Sequence, residues 1–182
     1  MQLKETRNAL NNFGKYVVQQ GKSILSKNGK KNSKLYKSLD YVPFNKRGFI
    51  GVSFVLEDYW KFVDQGVKGK DPSKISPNAK IKGQQAPNSP FKFGSGSRKG
   101  TFDKFVNRMS AFAKAKNIRF RQGKTGKFAK GGYNSMGYVI AKNIYYRGLK
   151  PTMFLTKPFN KALDNLPPEL QQAFVKDIEN AI

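Results

Sequence analysis

Apolar residues along the first 27 positions recur at helical spacing. Leu3, Leu10, Val17 and Ile24 fall seven apart, with Phe13 and Leu25 beside the same stripe, a pattern that predicts an amphipathic N-terminal helix over 1–27. Gly14 and Gly21 each weaken it by about 1 kcal/mol relative to Ala, so packing has to hold it. Asn28-Gly29 supplies its stop. The pattern then changes period. Tyr36, Leu39, Tyr41 and Val42 precede the β-branched and aromatic run Phe49, Ile50, Val52, Phe54 and Val55, with Asn45-Lys46-Arg47-Gly48 between them, so residues 35–56 are expected to form a β-hairpin. Glu57-Asp58 opens a short segment, Tyr59 to Val63, that closes at Gly66.

Periodicity fades from Val67 to Gly100, where Pro72, Pro77, Pro87 and Pro90 stand among Gly, Ser and Lys. This stretch reads as an extended arm or insertion loop, solvated or ordered by a neighbour. Helical spacing returns at Thr101–Lys116, with Phe102, Phe105, Val106, Met109, Phe112 and Ala113 on one face. A Gly- and Lys-rich excursion follows. A second helix over Ser135–Arg147 points Met136, Val139, Ile140, Ile144 and Tyr145 inward and ends at Gly148. Pro151 and Pro158 bracket an extended Met153-Phe154-Leu155, with Phe154 and Trp60 expected as core or subunit anchors. A final helix starts near Pro167-Pro168-Glu169 and buries Leu170, Phe174, Ile178 and Ile182. No internal repeat is found. The fold class is α+β: a small antiparallel sheet packed with N-terminal, middle and C-terminal helices in one domain over 1–182.

Composition narrows the chemistry. The 182 residues contain neither Cys nor His, which removes disulfides, thiolate nucleophiles, Cys/His zinc sites and imidazole acid–base catalysis. No run approaches the roughly twenty apolar residues of a membrane span. Met1-Gln2-Leu3-Lys4-Glu5 lacks a signal peptide's apolar stretch, so synthesis in the cytoplasm is expected. Gly123-Lys124-Thr125 is no P-loop, because position 118, where the first Gly belongs, is Ile; Gly94-Ser95-Gly96-Ser97-Arg98-Lys99-Gly100 places its third Gly one residue late for a dinucleotide fingerprint. Glu57, Asp58 and Asp64 form the one acidic cluster, with Lys61 nearby. Helix capping and an ion pair between Glu57 and Lys61 explain it better than a metal-dependent nuclease. No catalytic residue, cofactor or metal site is assigned.

Charge changes the picture most. Lys and Arg number 35 against 11 Asp and Glu, a formal net charge of +24. No acid occurs between Thr6 and Leu39 or between Lys104 and Leu163, which hold eight and fourteen Lys/Arg. Such runs steer polyanions. Lys68, Lys70, Lys74, Lys92, Arg98 and Lys99 from the arm are candidates for neighbour or DNA contacts. Arg119, Arg121, Lys124, Lys127 and Lys130 form a second patch. Phe120, Phe128, Tyr133, Tyr145 and Tyr146 interleave with basic residues and could stack on bases, although Tyr145 and its neighbours fit a core role better.

Three segments carry a resemblance. Met136 to Leu155, which includes Ile144-Tyr145-Tyr146-Arg147-Gly148 and Lys150-Pro151-Thr152-Met153-Phe154-Leu155, is similar to a signature of the tail-completion (neck, or head–tail connector) proteins of tailed bacteriophages. There, a helix ending I-aromatic-x-x-G leads into K-P-T-x-F-L. Asp58-Tyr59-Trp60-Lys61-Phe62-Val63-Asp64-Gln65-Gly66 resembles that family's D-Y-x-K-F-V-D-x-G, and Asn32 to Leu39 its G-x-L-x-x-S lead into the first strand. The 67–100 insertion and the high charge depart from the pattern. The resemblance implies a non-catalytic virion protein forming a homo-oligomeric ring at the portal–tail junction. Its expected partners are portal and other neck or tail proteins, with phage genomic DNA in the lumen and no membrane. The alternative is a sequence-nonspecific nucleic-acid-binding protein, which the charge alone suggests.

Overall fold

A computed structural model describes residues 3–46, 48–95, 100–122, 127 and 131–181. The architecture is α+β, as expected. Two compact units make up the chain: Met1–Asp64 with Thr152–Ile182, and Gln65–Pro151.

The first unit holds α1 (Lys4–Lys27), α2 (Lys34–Ser38), strands β1 (Asp40–Lys46) and β2 (Phe49–Val55), α3 (Trp60–Asp64) and α6 (Thr156–Glu179). Helix α1 ends in a Schellman turn: the Gly29 N–H donates to Ser26 O at 2.9 Å and the Lys30 N–H to Leu25 O at 2.9 Å. Gly29 supplies the left-handed φ of +70° this requires. Residues 34–38, read as the lead into a strand, form a helical turn instead, because the Ser33 hydroxyl caps it by accepting the Tyr36 N–H at 3.1 Å. The antiparallel hairpin then pairs Asp40 with Val55 through to Lys46 with Phe49. Gly48 turns the chain at φ +82°; Arg47 of that turn lies outside the described residues.

The core of this unit is Phe13, Val17, Val18, Leu25, Leu35, Leu39, Phe154, Leu155 and Leu166, with Trp60 packed partly buried against it. Phe13 of α1, Phe54 of β2 and Phe159 of α6 meet edge to face, with centroids 5.5–6.2 Å apart. Both α1 glycines are buried at close approaches. A Cβ on Gly14 would strike the Tyr41 ring; one on Gly21 would lie 3.0 Å from Leu39 Cδ2 and 3.1 Å from Phe154 O. The helix gives up propensity there to let Tyr41, Leu39 and Phe154 reach its backbone.

Helix α6 corrects the sequence reading twice. It begins at Thr156, eleven residues before Pro167, and carries Pro167 and Pro168 in its interior. The two prolines remove two backbone bonds, and the apolar face packed along α1 carries the helix through them. Met153-Phe154-Leu155, expected to be extended, bends instead: Met153 takes φ +52° and Phe154 and Leu155 form a turn. The buried face is Leu166, Ala173 and Asp177; Phe174 and Ile178, expected inside, are 47% and 39% exposed. Ile182 lies outside the described residues.

The second unit holds β3 (Val67–Lys68), α4 (Phe102–Ala115), α5 (Tyr133–Arg147) and β4 (Gly148–Leu149). Thr101 caps α4 by accepting the Lys104 N–H at 3.3 Å. Helices α4 and α5 pack closely where Gly137 meets Ser110. The middle helices pack on one another. Phe112 and Val139, expected inward, are 45% and 37% exposed: Ser110, Ala113, Gly137 and Ala141 take the buried line, because small residues let the two backbones approach.

The described part of 67–100, expected as an extended arm or insertion loop, is held against the end of α5. Val67 pairs with Leu149, Lys68 bridges Lys92, and the Lys70, Asp71 and Gln85 N–H groups donate to Tyr145, Tyr146 and Arg147 O at 2.9, 3.2 and 2.9 Å. The last turn of α5 has carbonyls without helical partners. The supposed arm satisfies three of them, which fixes it in place.

Candidate functional site

Two places in the chain concentrate chemistry. The first lies in the unit of α1 and α6. Asp64, at the end of α3, is fully buried. Its Oδ1 accepts the N–H groups of Leu155 at 2.8 Å and Thr156 at 3.3 Å, and its Oδ2 accepts the Thr156 hydroxyl. The Thr152 N–H and hydroxyl donate to Val63 O at 3.1 and 2.8 Å, and the Met153 N–H to Asp64 O at 2.9 Å. The acidic cluster, read as helix capping and an ion pair rather than a nuclease centre, is divided: Asp64 caps α6 from inside the core, where the dipole favours a carboxylate. Among the described residues no group of three potential metal ligands gathers. Lys61 Nζ, read as the Glu57 partner, sits 5.8 Å from the Trp60 ring centroid.

A second buried carboxylate, unforeseen from sequence, closes the other end of the same helix pair. Asp177 of α6 accepts the N–H groups of Glu5 and Thr6 at 2.8 and 2.9 Å and the Thr6 hydroxyl at 2.8 Å. Burial pushes its pKa up, but the hydrogen bonds from Thr6, Glu5 and Lys4 outweigh that and leave it below the ordinary value.

The second place is the unit Gln65–Pro151. It holds twenty of the 35 Lys and Arg but only Asp71 and Asp103 of the 11 acids, so +18 of the net +24 resides there. Lys68 and Lys92 are set side by side by their bridge: the Lys68 N–H donates to Phe91 O at 2.7 Å and the Phe93 N–H to Lys68 O at 2.9 Å. Lys70 Nζ lies 5.7 Å from the Tyr145 ring centroid and Lys74 Nζ 5.8 Å from that of Tyr146. The two rings are themselves in contact, with centroids 5.3 Å apart. Lys70, Lys74 and Lys92 are exposed and Lys68 is half-buried. Asp71 stands between the paired lysines. Its carboxylate accepts the Ser73 hydroxyl at 2.6 Å and N–H at 3.1 Å, and with Lys74 and Lys70 nearby its pKa falls below the usual carboxylate value.

Arg119, Arg121 and Lys127 stand on a different support. The Arg119 guanidinium lies 5.4 Å from the Tyr133 ring centroid, and the Tyr133 hydroxyl donates to Asn117 Oδ1 at 2.8 Å. The Gln122 N–H donates to Lys127 O at 2.8 Å, leaving Arg121 and Lys127 exposed. Arg98, Lys99, Lys124 and Lys130, with Phe128, lie outside the described residues.

Tyr145 is half-buried in a ring cluster with Phe93, Phe102 and Tyr146, so the core assignment suits it better than base stacking. The sequence reading passed over Arg147, taken there only as a helix end. Its Nε is buried with no hydrogen-bond partner among the described residues, and burial lowers its pKa. The signal was its place in Tyr145-Tyr146-Arg147-Gly148, where a helix end carries its orphan carbonyls. Comparison with protein-family models, with curated proteins and with solved structures finds no match.

Proposed function

We propose that this chain is a non-catalytic virion protein that assembles as a homo-oligomeric ring at the head–tail junction of a tailed bacteriophage, between portal and tail. One observation carries the reading: two of the segments that resemble the neck family, 58–66 and 150–155, are some ninety residues apart and meet. Thr152 and Met153 bond to Val63 and Asp64, and Asp64 caps the helix that follows. Their polar groups hold a fold together rather than face a substrate. That use suits a structural protein.

The surface of the first unit supports self-association. The hairpin register puts Val42, Phe44, Phe49 and Val55 on one face, 39–74% exposed, and Phe174, Val175 and Ile178 of α6 are 39–52% exposed. Apolar groups left in water this way mark interaction surfaces, and two unlike patches on one unit suit the heterologous contacts that close a ring. Electron microscopy of the purified chain, alone and mixed with the portal protein of its phage, is expected to show annular particles. Separate monomers in both samples contradict the proposal.

A second reading, nucleic-acid binding without sequence preference, is favoured by the +18 on one unit. It joins the first if the ring's bore carries that charge.

A further inference from the structure

We infer that Lys70 and Lys74, seated on the end of α5 and flanked by Lys68 and Lys92, form a contact site for a nucleic-acid phosphate backbone. The inference rests on the nucleic-acid reading and assigns it to one surface of one unit. Nothing in the first unit is needed for it.

The geometry is built rather than incidental. A lysine on a free loop gives up much rotamer freedom on meeting a phosphate. Here the backbone carrying Lys70 is pinned by its own N–H and that of Asp71 to Tyr145 and Tyr146 O, and each ammonium lies over one of two touching tyrosine rings. The rings hold the stems and leave the outer side of each charge to solvent. Gly69 lets the strand press against Tyr146 and Arg147, where a Cβ would collide with their backbone. Among the described residues the buried Nε of Arg147 there has no hydrogen-bond partner.

The partner's chemistry follows from the balance of charge. Between Asp64 and Asp103 the one acid is Asp71, already engaged by Ser73. Four lysines against one carboxylate leave a surplus that a chain of phosphates neutralises while releasing its condensed counterions, a gain that a patch of protein carboxylates does not supply. Among the described residues the exposed groups of the site are lysines, which act as point charges, while the Gln84 amide is engaged by the Gly69 backbone and Arg147 Nε is buried, so contact is with the backbone and independent of sequence.

The test titrates the full-length chain with a short labelled duplex over a range of KCl concentrations. It compares the wild type, Lys70→Gln/Lys74→Gln, and a control on α1, Lys15→Gln/Lys27→Gln, that removes the same charge from exposed positions. Circular dichroism confirms that each variant is folded. Losing two phosphate contacts lowers the slope of log K against log salt by roughly 1.8 and weakens binding roughly fifty-fold at 0.1 M, while the α1 control stays within twofold. Asp71→Asn is expected to move the other way and tighten binding.

Equal losses in both double variants overturn this site while leaving nucleic-acid binding intact. A wild type that ignores duplex at every salt concentration overturns the binding reading itself. Poly-glutamate binding as tightly as duplex, with the same dependence on Lys70 and Lys74, assigns the site to an acidic protein and overturns the inference.

Discussion

Asp64 and Asp177 each close a helix N-terminus that is open in the sequence: Asp64 that of α6, Asp177 that of α1. Removing Asp64 leaves the Leu155 and Thr156 N–H groups and the Thr156 hydroxyl without their acceptor inside a core. Asp64→Ala is expected to cost about 3 kcal/mol in urea-induced unfolding, the sum of a lost cap and unsatisfied buried donors. Asp58→Ala, at an exposed position, stays within about 0.5 kcal/mol. Similar losses for the two variants refute the capping role.

Asp177 yields a dependence on pH. Its folded pKa lies below the unfolded one, so its contribution to stability is complete above the ordinary carboxylate value of about 3.9 and fades as the pH falls through the lower folded value. The Tm of the wild type is expected to drop through that window more steeply than that of Asp177→Asn. Parallel Tm curves for the two proteins rule out this linkage.

At the scale of elements, the second unit depends on the crossing of α4 and α5. A Cβ on Gly137 would lie 2.5 Å from Ser110 N and 2.6 Å from Ser110 Cα, against backbone that cannot swing aside. Gly137→Ala gains about 1 kcal/mol of helix propensity but is expected to lose about 2–3 kcal/mol net as the helices are forced apart. A thermal melt as stable as the wild type contradicts that packing.

Local periodicity made α1, the hairpin, α4 and α5 legible, since each carries its own apolar spacing and stop: Gly29, Gly48 and Gly148 take positive φ where the sequence placed the breaks. Three features were not legible, each for a non-local reason. Pro167 and Pro168 read as a helix start, and packing along α1 overrides them. The order of residues 67–95 comes from N–H groups meeting the end of α5, which no residue pattern reports. The paired lysines were visible as charge, but their tyrosine seats depend on a turn of backbone more than seventy residues away.

For the whole molecule, the partition of charge is the organising fact. The unit of α1 and α6 carries the apolar patches of the hairpin and α6 and a net +6, while the unit of α4 and α5, which also exposes Phe112, Tyr138 and Val139, carries +18. One is suited to meeting copies of itself and the other to meeting polyanion. In the proposed ring, self-assembly would depend on apolar burial, which salt does not screen, and the proposed polyanion binding on charge, which it does.

The most direct test of the proposed ring is native mass spectrometry of the full chain without DNA, at low and high ammonium acetate. One discrete multiple of 20.5 kDa that survives the rise in salt is predicted. A single-chain mass throughout, unchanged by added portal protein, contradicts it.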